Sequence, residues 1–495
     1  MEEKKKVVRY KLVRHKWPDE IAAEKAKRTH RIMTAAFCVV CFVIGFLSSM
    51  LLDKNSITAN EDAKKLQTIY EVMHDKWYFG KDKKKLSSTL YNGAITGMVD
   101  SGKDPHTVYM DAQQANDFTS SLQGSFVGIG IQYYSDGHMG IVSRVFKGSP
   151  AEEAGMIEND HIVKVAGKSV EGMTADEISE IVKGKAGTKV KISVLRENKE
   201  VTLNVERRKV ESSVVGYVKE GQIGVLEVTS FAETTGSEVG KYLESFKQQG
   251  VKKLIVDFRN NSGGYLTAAQ QMASYFTPQN KTVFIEETKD GTRTKYKTLE
   301  KYPLYRYDQI AVLVNNDTAS AAEVLTGFLK EQVNAKVVGE TTYGKGTAQV
   351  TQSFDDGSVL KYTTSQWFTS KGKKVNGVGI KPDYVVSLDP ALSIGLSRDI
   401  KKEKFKVDSV SEACVAAQYY LKFIGYDVDR TDGYFSVKTE QALRQYQQDK
   451  GLEVTGVINK KVILSLNSSA SIYWHEHNDT LDTQMIKAVD VVHGK

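Results

Sequence analysis

Read from the N-terminus, the apolar positions change texture several times. Ile32 to Leu52 (IMTAAFCVVCFVIGFLSSMLL) is a charge-free run of twenty-one residues, long enough at 1.5 Å per residue to cross a hydrocarbon layer of ~30 Å. Over residues 60–118 a helical pattern follows, with Leu66, Ile69, Tyr70 and Met73, then Leu90, Ile95 and Met98. Residues 119–209 read as short alternating strands between glycine turns, ending in KVKISVLRENKEVTLNVERR with a hairpin around Glu197 to Lys199. Over 210–392 strands alternate with helices: IGVLEVTSF, a helix through Leu243 and Phe246, KLIVDFRNN, a helix near Ala268 to Tyr275, and QIAVLVNND. Leu254 to Phe258 and Ile310 to Val314 are near-continuous apolar runs, as expected of strands covered on both faces. Residues 407–467 carry a compact three-helix pattern, and 468–495 reads as a polar tail. The fold class expected is a mixed α/β, multidomain one.

A buried core helix seldom lacks every charge over twenty-one residues, so 32–52 reads as a transmembrane helix. Arg28 and Arg31 close the basic segment 1–31, whereas Asp53 with a single Lys54 follows the apolar run. That asymmetry keeps the N-terminus in the cytoplasm and exports everything after Leu52. A cleaved signal peptide fits less well, because the leader is long and no clear A-x-A site follows. The expectation is a single-pass cell-membrane protein.

Charge and cysteine content narrow the classes further. The formal net charge is +7, and residues 1–31 hold eleven Lys/Arg against five Asp/Glu. Positive charge concentrated there suits anionic lipid and argues against nucleic acid as a partner. Cys38 and Cys41 lie in the apolar run and only Cys414 lies beyond it, so no intrachain disulfide forms outside the membrane.

The stretch GSFVGIGI places Gly128 and Gly130 where backbone must approach something closely, and SPAEEAGMIENDHIVKVAGKSV offers a short helix, a turn and a strand. The glycines alone fit a tight turn equally well. The longer pattern resembles a PDZ domain over 119–209. Such a domain pairs an extended peptide with a sheet edge and holds its terminal carboxylate in a loop of N–H groups. The resemblance implies Phe126, Val127, Gly128, Ile129 and Gly130 as the peptide-binding residues.

After Val314 the chain reads NNDTASAAEVLTGFLKE, a strand running through a polar turn into a helix that Ser320 opens. A hydroxyl there serves as a helix cap as readily as a nucleophile. No His occurs between His161 and His475 and no Cys between Cys41 and Cys414, so the α/β region holds neither imidazole nor thiol of its own. HExxH and zinc-spaced His/Cys clusters are also missing, so no metal and no cofactor is expected. A lysine becomes a base when burial lowers its pKa. Lys345, flanked by Gly344 and Gly346 and followed four residues later by Gln349, is the candidate, although a lysine taken alone is usually a solvated surface charge.

Taken together, VDFRNNSGGYL, NNDTASAAEV and GETTYGKGTAQ, in this order after the PDZ-like region, resemble the carboxy-terminal processing peptidases. DPHTVYM before that region and LKYTTSQWFTSKGKKVNGVGIKPD after the lysine extend the resemblance from about Asp62 to Asp389. It implies a serine endopeptidase with Ser320 as nucleophile, Lys345 as base and Gln349 positioning the lysine. It also implies an oxyanion hole from the Ala321 N–H and that of Gly263 or Gly264, with Asp257, Arg259 and Asn260 organising the loop. Protein substrates recognised by a free C-terminus are implied, and a homodimer is left open. The sequence departs from the family's usual pattern at Ser262, where relatives often carry Pro, and at Lys183, where they often carry Arg.

Within 407–467, GYDVDRTDGYFSVKTEQALRQYQQDKGLEVTG resembles a peptidoglycan-binding domain, with Asp432, Gly433 and Phe435 in the turn and Gln447 and Gly451 ending the second helix. The resemblance implies peptidoglycan as a partner, with a packing or dimerising role as the alternative. His475 and His477 are expected to face solvent in the tail. The competing overall readings are a non-catalytic scaffold and a soluble cytoplasmic peptidase.

Overall fold

The computed structural model describes residues 61–495, apart from 123–124, 136–138, 147, 197–198, 212 and 395–403, together with Lys25 and Met33. The apolar run 32–52 otherwise lies outside the described residues. Among those described, no helix is long and apolar enough to cross a membrane.

The chain divides into two compact units, residues 1–98 and 99–495. In the first, the helices Glu61–Asp75 and Leu86–Asp100 bury none of their residues. They meet through Tyr70, whose ring stacks on Tyr91 at 4.4 Å and whose hydroxyl lies 2.8 Å from Ser87 Oγ. Leu66, Ile69, Val72 and Met98 stay exposed.

In the second unit, the strands Ile131–Ser135, Gly140–Val145, His161–Val165, Lys168–Ser169, Lys189–Arg196 and Lys199–Glu206 form one antiparallel sheet. Alternation puts Val142, Ile162, Val190, Ile192, Val194 and Val205 on its buried face, where the helix Ala175–Val182 contributes Ile178 and Val182. That helix starts on a capping box: Thr174 Oγ1 accepts the Glu177 N–H, and Glu177 returns a carboxylate oxygen to the Thr174 N–H. The expected hairpin is present, with Lys189 opposite Glu206 and Arg196 opposite Lys199.

The α/β region is built on a six-stranded sheet ordered Val214–Lys219, Ile223–Val228, Lys253–Asp257, Gln309–Val314, Lys336–Gly339 and Tyr384–Val385. All neighbours are parallel except the first pair. On one face Leu254, Val256, Val312, Val314 and Val337 pack against residues of the helices Thr235–Gln248, Leu266–Ser274 and Ala321–Gln332. On the other, Val225, Ile255, Ala311, Leu313 and Val338 pack against Met485, Ala488, Val491 and Val492. A second sheet, of Val108–Met110, Thr282–Thr288, Arg293–Lys297, Thr347–Ser353 and Val359–Thr369, flanks this core.

The residues covering that second face correct the expectation of a polar tail at 468–495. The helix Lys460–Leu481 continues through the first part of it, and a further helix, Thr483–Val492, lies on the sheet. Its apolar side chains at 485, 488, 491 and 492 form a one-sided stripe that the sheet leaves no water to meet. His475 is exposed, as expected, although its ring stacks on Tyr134 of the first sheet at 4.9 Å, and desolvation, then the Arg144 charge, lower its pKa. His477 is exposed, as expected. The helices Glu412–Phe423, Val437–Asp449 and Lys460–Leu481 enclose a core containing Cys414, Tyr420, Phe435, Leu443, Tyr446 and Leu466.

Candidate active site

The turn between the strand Gln309–Val314 and the helix Ala321–Gln332 is held from below. Thr318 Oγ1 donates to Phe258 O at 2.8 Å, and the Ala319 N–H donates to Asn261 O at 2.9 Å. The chain then turns so sharply that Ser320 adopts φ 58°, ψ −120°. A non-glycine residue there carries strain of about 1–3 kcal/mol, which the surroundings must offset. Ser320 is 9% exposed and opens the helix as its N-cap.

What holds the strained residue is Glu323, one turn later and fully buried. Its Oε2 accepts the Ser320 N–H at 2.8 Å and the Lys345 N–H at 2.9 Å. Its Oε1 accepts the Gly344 N–H at 2.7 Å and the Thr342 hydroxyl at 2.5 Å. Burial raises the Glu323 pKa, and these four donors pull against that rise. One carboxylate therefore ties the serine turn to the lysine loop. Sequence reasoning missed it, although Ser-x-x-Glu before an apolar helix is a legible capping-box signal.

The glycines flanking Lys345 admit the chain's own loop. A Cβ on Gly346 would lie 2.3 Å from the Asn376 nitrogen, and one on Gly344, at φ +86°, would lie 2.9 Å from the Gly379 nitrogen. The Gly377 N–H donates to Gly344 O at 2.8 Å, completing the clasp. Lys345 is half-buried, and its pKa is lowered by burial first and the nearby Lys361 charge second, against the pull of Glu323 and Asp104. Gln349 Nε2 donates to Thr347 Oγ1 at 2.9 Å and Thr363 Oγ1 at 3.2 Å. Among the described residues the Lys345 amine makes no hydrogen bond, so the expected one from Gln349 is not formed in this structure.

Gly263 and Gly264 adopt φ +100° and +141°. Gly263 lies directly on the serine turn, since a Cβ there would sit 2.7 Å from Ser320 Cβ and 2.9 Å from the Ala321 nitrogen. Its N–H is already engaged, donating to Asn261 Oδ1 at 2.8 Å. Among the described residues no group accepts the N–H of Gly264 or of Ala321. Asp257 and Arg259 brace this loop by a paired ion contact, and Arg259 Nη1 also donates to Asp482 Oδ1 at 2.8 Å. Asn260 exchanges side-chain and backbone bonds with Asn315 at 2.7 and 2.9 Å.

An imidazole from outside the α/β region also lies near this site. His106, on the segment leading into the strand Val108–Met110, has its pKa lowered by burial and then by the Lys345 charge. The residues implied for peptide binding fall elsewhere and only in part in a loop. Phe126, Val127 and Gly128 form a strand opposite Val210, Lys209 and Arg208, so a free loop at 126–128 is corrected to a paired one. Ile129 and Gly130 make the turn that follows; a Cβ on Gly130, at φ +81°, would lie 2.3 Å from Ser149 Cβ. Among the described residues no group of three or more His, Cys, Asp or Glu is placed to hold a metal ion.

A family model described as peptidase family S41 matches residues 222–386. The Staphylococcus aureus (strain MRSA252) protein named "Probable CtpA-like serine protease" is 34% identical over 451 residues, 91% of this chain and 89% of its own. The chain belongs to peptidase family S41. A second S41 relative, the carboxy-terminal processing protease CtpA of Bacillus subtilis (strain 168), is 34% identical over 465 residues, 92% of this chain and 96% of its own. Further models match at 48–114 (activating protease CtpB N-terminal domain), 141–196 (PDZ domain) and 411–466 (peptidoglycan binding domain). A solved photosystem II D1 C-terminal processing protease aligns at 24% identity over 66% of this chain and 94% of that one, with a TM-score of 0.39, too loose a superposition to argue from. This S41 chain is accordingly a serine-type endopeptidase of the carboxy-terminal processing kind, with a PDZ domain and a peptidoglycan-binding domain.

Proposed function

We propose that this endopeptidase works by a Ser320–Lys345 dyad on the outer side of a membrane to which residues 32–52 anchor it. The observation that carries the dyad is the Glu323 carboxylate, which accepts the backbone N–H of both Ser320 and Lys345 and so keeps the two in fixed relation. Neutral Lys345 takes the proton from Ser320 Oγ as the oxygen attacks the substrate carbonyl. The ammonium then returns that proton to the leaving amine, and water repeats the sequence on the acyl-enzyme. The Ala321 and Gly264 N–H groups receive the oxyanion; engagement of the Gly263 N–H with Asn261 favours Gly264 of the two glycines.

In this reading the PDZ domain takes the substrate's C-terminus. The strand Ile131–Ser135 is outermost in its sheet and follows the Ile129–Gly130 turn, which supports strand addition with the carboxylate at that turn. The exposed Leu66, Ile69, Val72 and Met98 support a homodimer through the first unit, and residues 407–467 tether the enzyme to peptidoglycan.

The deciding experiment compares wild type, Ser320→Ala and Lys345→Ala on an unstructured protein with an apolar C-terminus. Both variants lose cleavage while staying folded. Retained activity in either one ends the dyad reading. Membrane fractionation with and without residues 32–52, and pull-down on isolated cell wall with and without 407–467, test the anchoring and the tether.

A further inference from the structure

Thr363 stands at a junction. It faces Gln349 across the ladder between the strands Thr347–Ser353 and Val359–Thr369, where a bulge at Ala348 and Gln349 shifts the register. Bulges of this kind re-aim a side chain. Its N–H donates to Thr107 Oγ1 at 3.1 Å, and Thr107 Oγ1 in turn donates to Asp104 Oδ2 at 2.6 Å. The other carboxylate oxygen of Asp104 accepts the His106 N–H at 3.0 Å. The Thr363 hydroxyl accepts from Gln349 Nε2 at 3.2 Å.

The direction of each bond follows from what each group is able to donate. An ionised carboxylate only accepts, so the Thr107 hydroxyl proton points at Asp104 and its lone pairs are left for the Thr363 N–H. The Thr363 hydroxyl meets the NH2 end of the Gln349 amide. Both N–H bonds of that NH2 are used, one on Thr347 and one on Thr363. Gln349 Oε1 is left as an acceptor, which an amine can use whether it is neutral or charged.

Resting on the Ser320–Lys345 reading, we propose that Asp104 is a positioning residue for the lysine base: through Thr107 it holds Thr363, whose hydroxyl receives the Gln349 NH2 and turns Oε1 toward the Lys345 amine. The segment before the PDZ domain thereby becomes part of the catalytic apparatus, joined to it by the pairing of Val108–Met110 with Val359–Lys361. The electrostatics are consistent. Burial opposes ionisation of Asp104, but the nearby Thr107 and Thr363 hydroxyls and the His106 N–H outweigh that and hold the carboxyl below its usual range.

The charged groups acting on Lys345 are Lys361, Glu323 and Asp104, and His106 in turn responds to the Lys345 charge. Asp104 raises the Lys345 pKa. Removing its charge therefore leaves more neutral lysine at a given pH and moves the acid limb of kcat/KM to lower pH. The Thr363 variants change no charge and leave that limb in place.

The test uses the full chain with Thr363→Val, Thr363→Ser and Asp104→Asn beside Ser320→Ala and Lys345→Ala. Thr363→Val removes one hydroxyl at nearly constant shape and lowers kcat about tenfold with KM unchanged, the size of one lost orienting hydrogen bond. Thr363→Ser restores most of the rate. Asp104→Asn lowers kcat and shifts the acid limb downward. Wild-type kcat in Thr363→Val, or an unshifted limb in Asp104→Asn, overturns the relay. Should Asp104→Asn fail to fold, the Val and Ser pair at Thr363 decides alone. Activity surviving in Ser320→Ala or Lys345→Ala overturns the dyad instead, so the two failures are told apart.

Discussion

Arg259 and Asp482, 223 positions apart, are joined at 2.8 Å between Nη1 and Oδ1. The contact links the loop carrying Gly263 and Gly264 to the start of the last helix, where Asp482 Oδ1 also accepts the Met485 N–H at 2.9 Å. Both side chains are nearly out of water, at 14% and 11% exposure. Breaking a buried pair by removing one partner costs several kcal/mol. Here Asp257 remains on Arg259, so Asp482→Ala is expected to cost about 2 kcal/mol and to lower kcat more than it raises KM. Thermal melting and steady-state kinetics on an unstructured substrate check both.

The last helix is also core. Ala488 is fully buried against the sheet face formed by Val225, Ile255, Ala311, Leu313 and Val338. Ala488→Asp places an unpaired charge there and is expected to destabilise the protein by about 3 kcal/mol or more. Ending the chain at Leu481 uncovers the whole face, with aggregation as the outcome. Denaturant unfolding and light scattering read these effects. A soluble, fully active truncation would mean that the helix is an accessory.

The sequence made part of this fold legible, and the limits have physical causes. Leu254 to Phe258 announced a strand covered on both faces, yet the cover on one face is Met485, Ala488, Val491 and Val492, and nothing local says where an amphipathic stripe docks. Those apolar residues follow the polar run EHNDT, which made the stretch read as a tail. The serine and lysine loops were legible because glycine, short polar turns and strand ends mark them. Glu323 was not, since its four donors come from two loops that meet only in three dimensions. His106 was not legible as part of the site, because only the pairing of Val108 with Lys361, some 250 residues apart in the chain, brings it near the lysine.

Glu323→Gln tests that missed residue. An amide has one accepting oxygen, so two of the four donors now on the carboxylate would face an NH2 group. Each buried donor left unpaired costs about 1–3 kcal/mol. The expected result is loss of at least 2 kcal/mol in stability and at least a hundredfold fall in kcat/KM, because the strained Ser320 turn and the Lys345 loop lose their common anchor. Fluorophosphonate labelling of Ser320, followed over time, reads the active-site defect separately from folding.

Lys361 offers the opposite displacement to Asp104. Burial is the main cause of the lowered Lys345 pKa, and the Lys361 charge is the next, acting in the same direction. Lys361→Met removes a like charge, so Lys345 holds its proton to higher pH and the acid limb of kcat/KM moves upward. The sign is fixed by the need for a neutral amine: a higher pKa means less active enzyme at any pH below it. Lys361→Arg keeps the charge and leaves the limb where it is. The half-buried ammonium itself also costs stability at every pH below its lowered pKa, and that cost disappears as pH rises through the value of an unfolded lysine. Lys345→Met, which never carries the charge, is therefore expected to be inactive and yet to melt at higher temperature than wild type near neutral pH. A Lys345→Met protein that melts lower would show that the amine is held by bonds worth more than its desolvation.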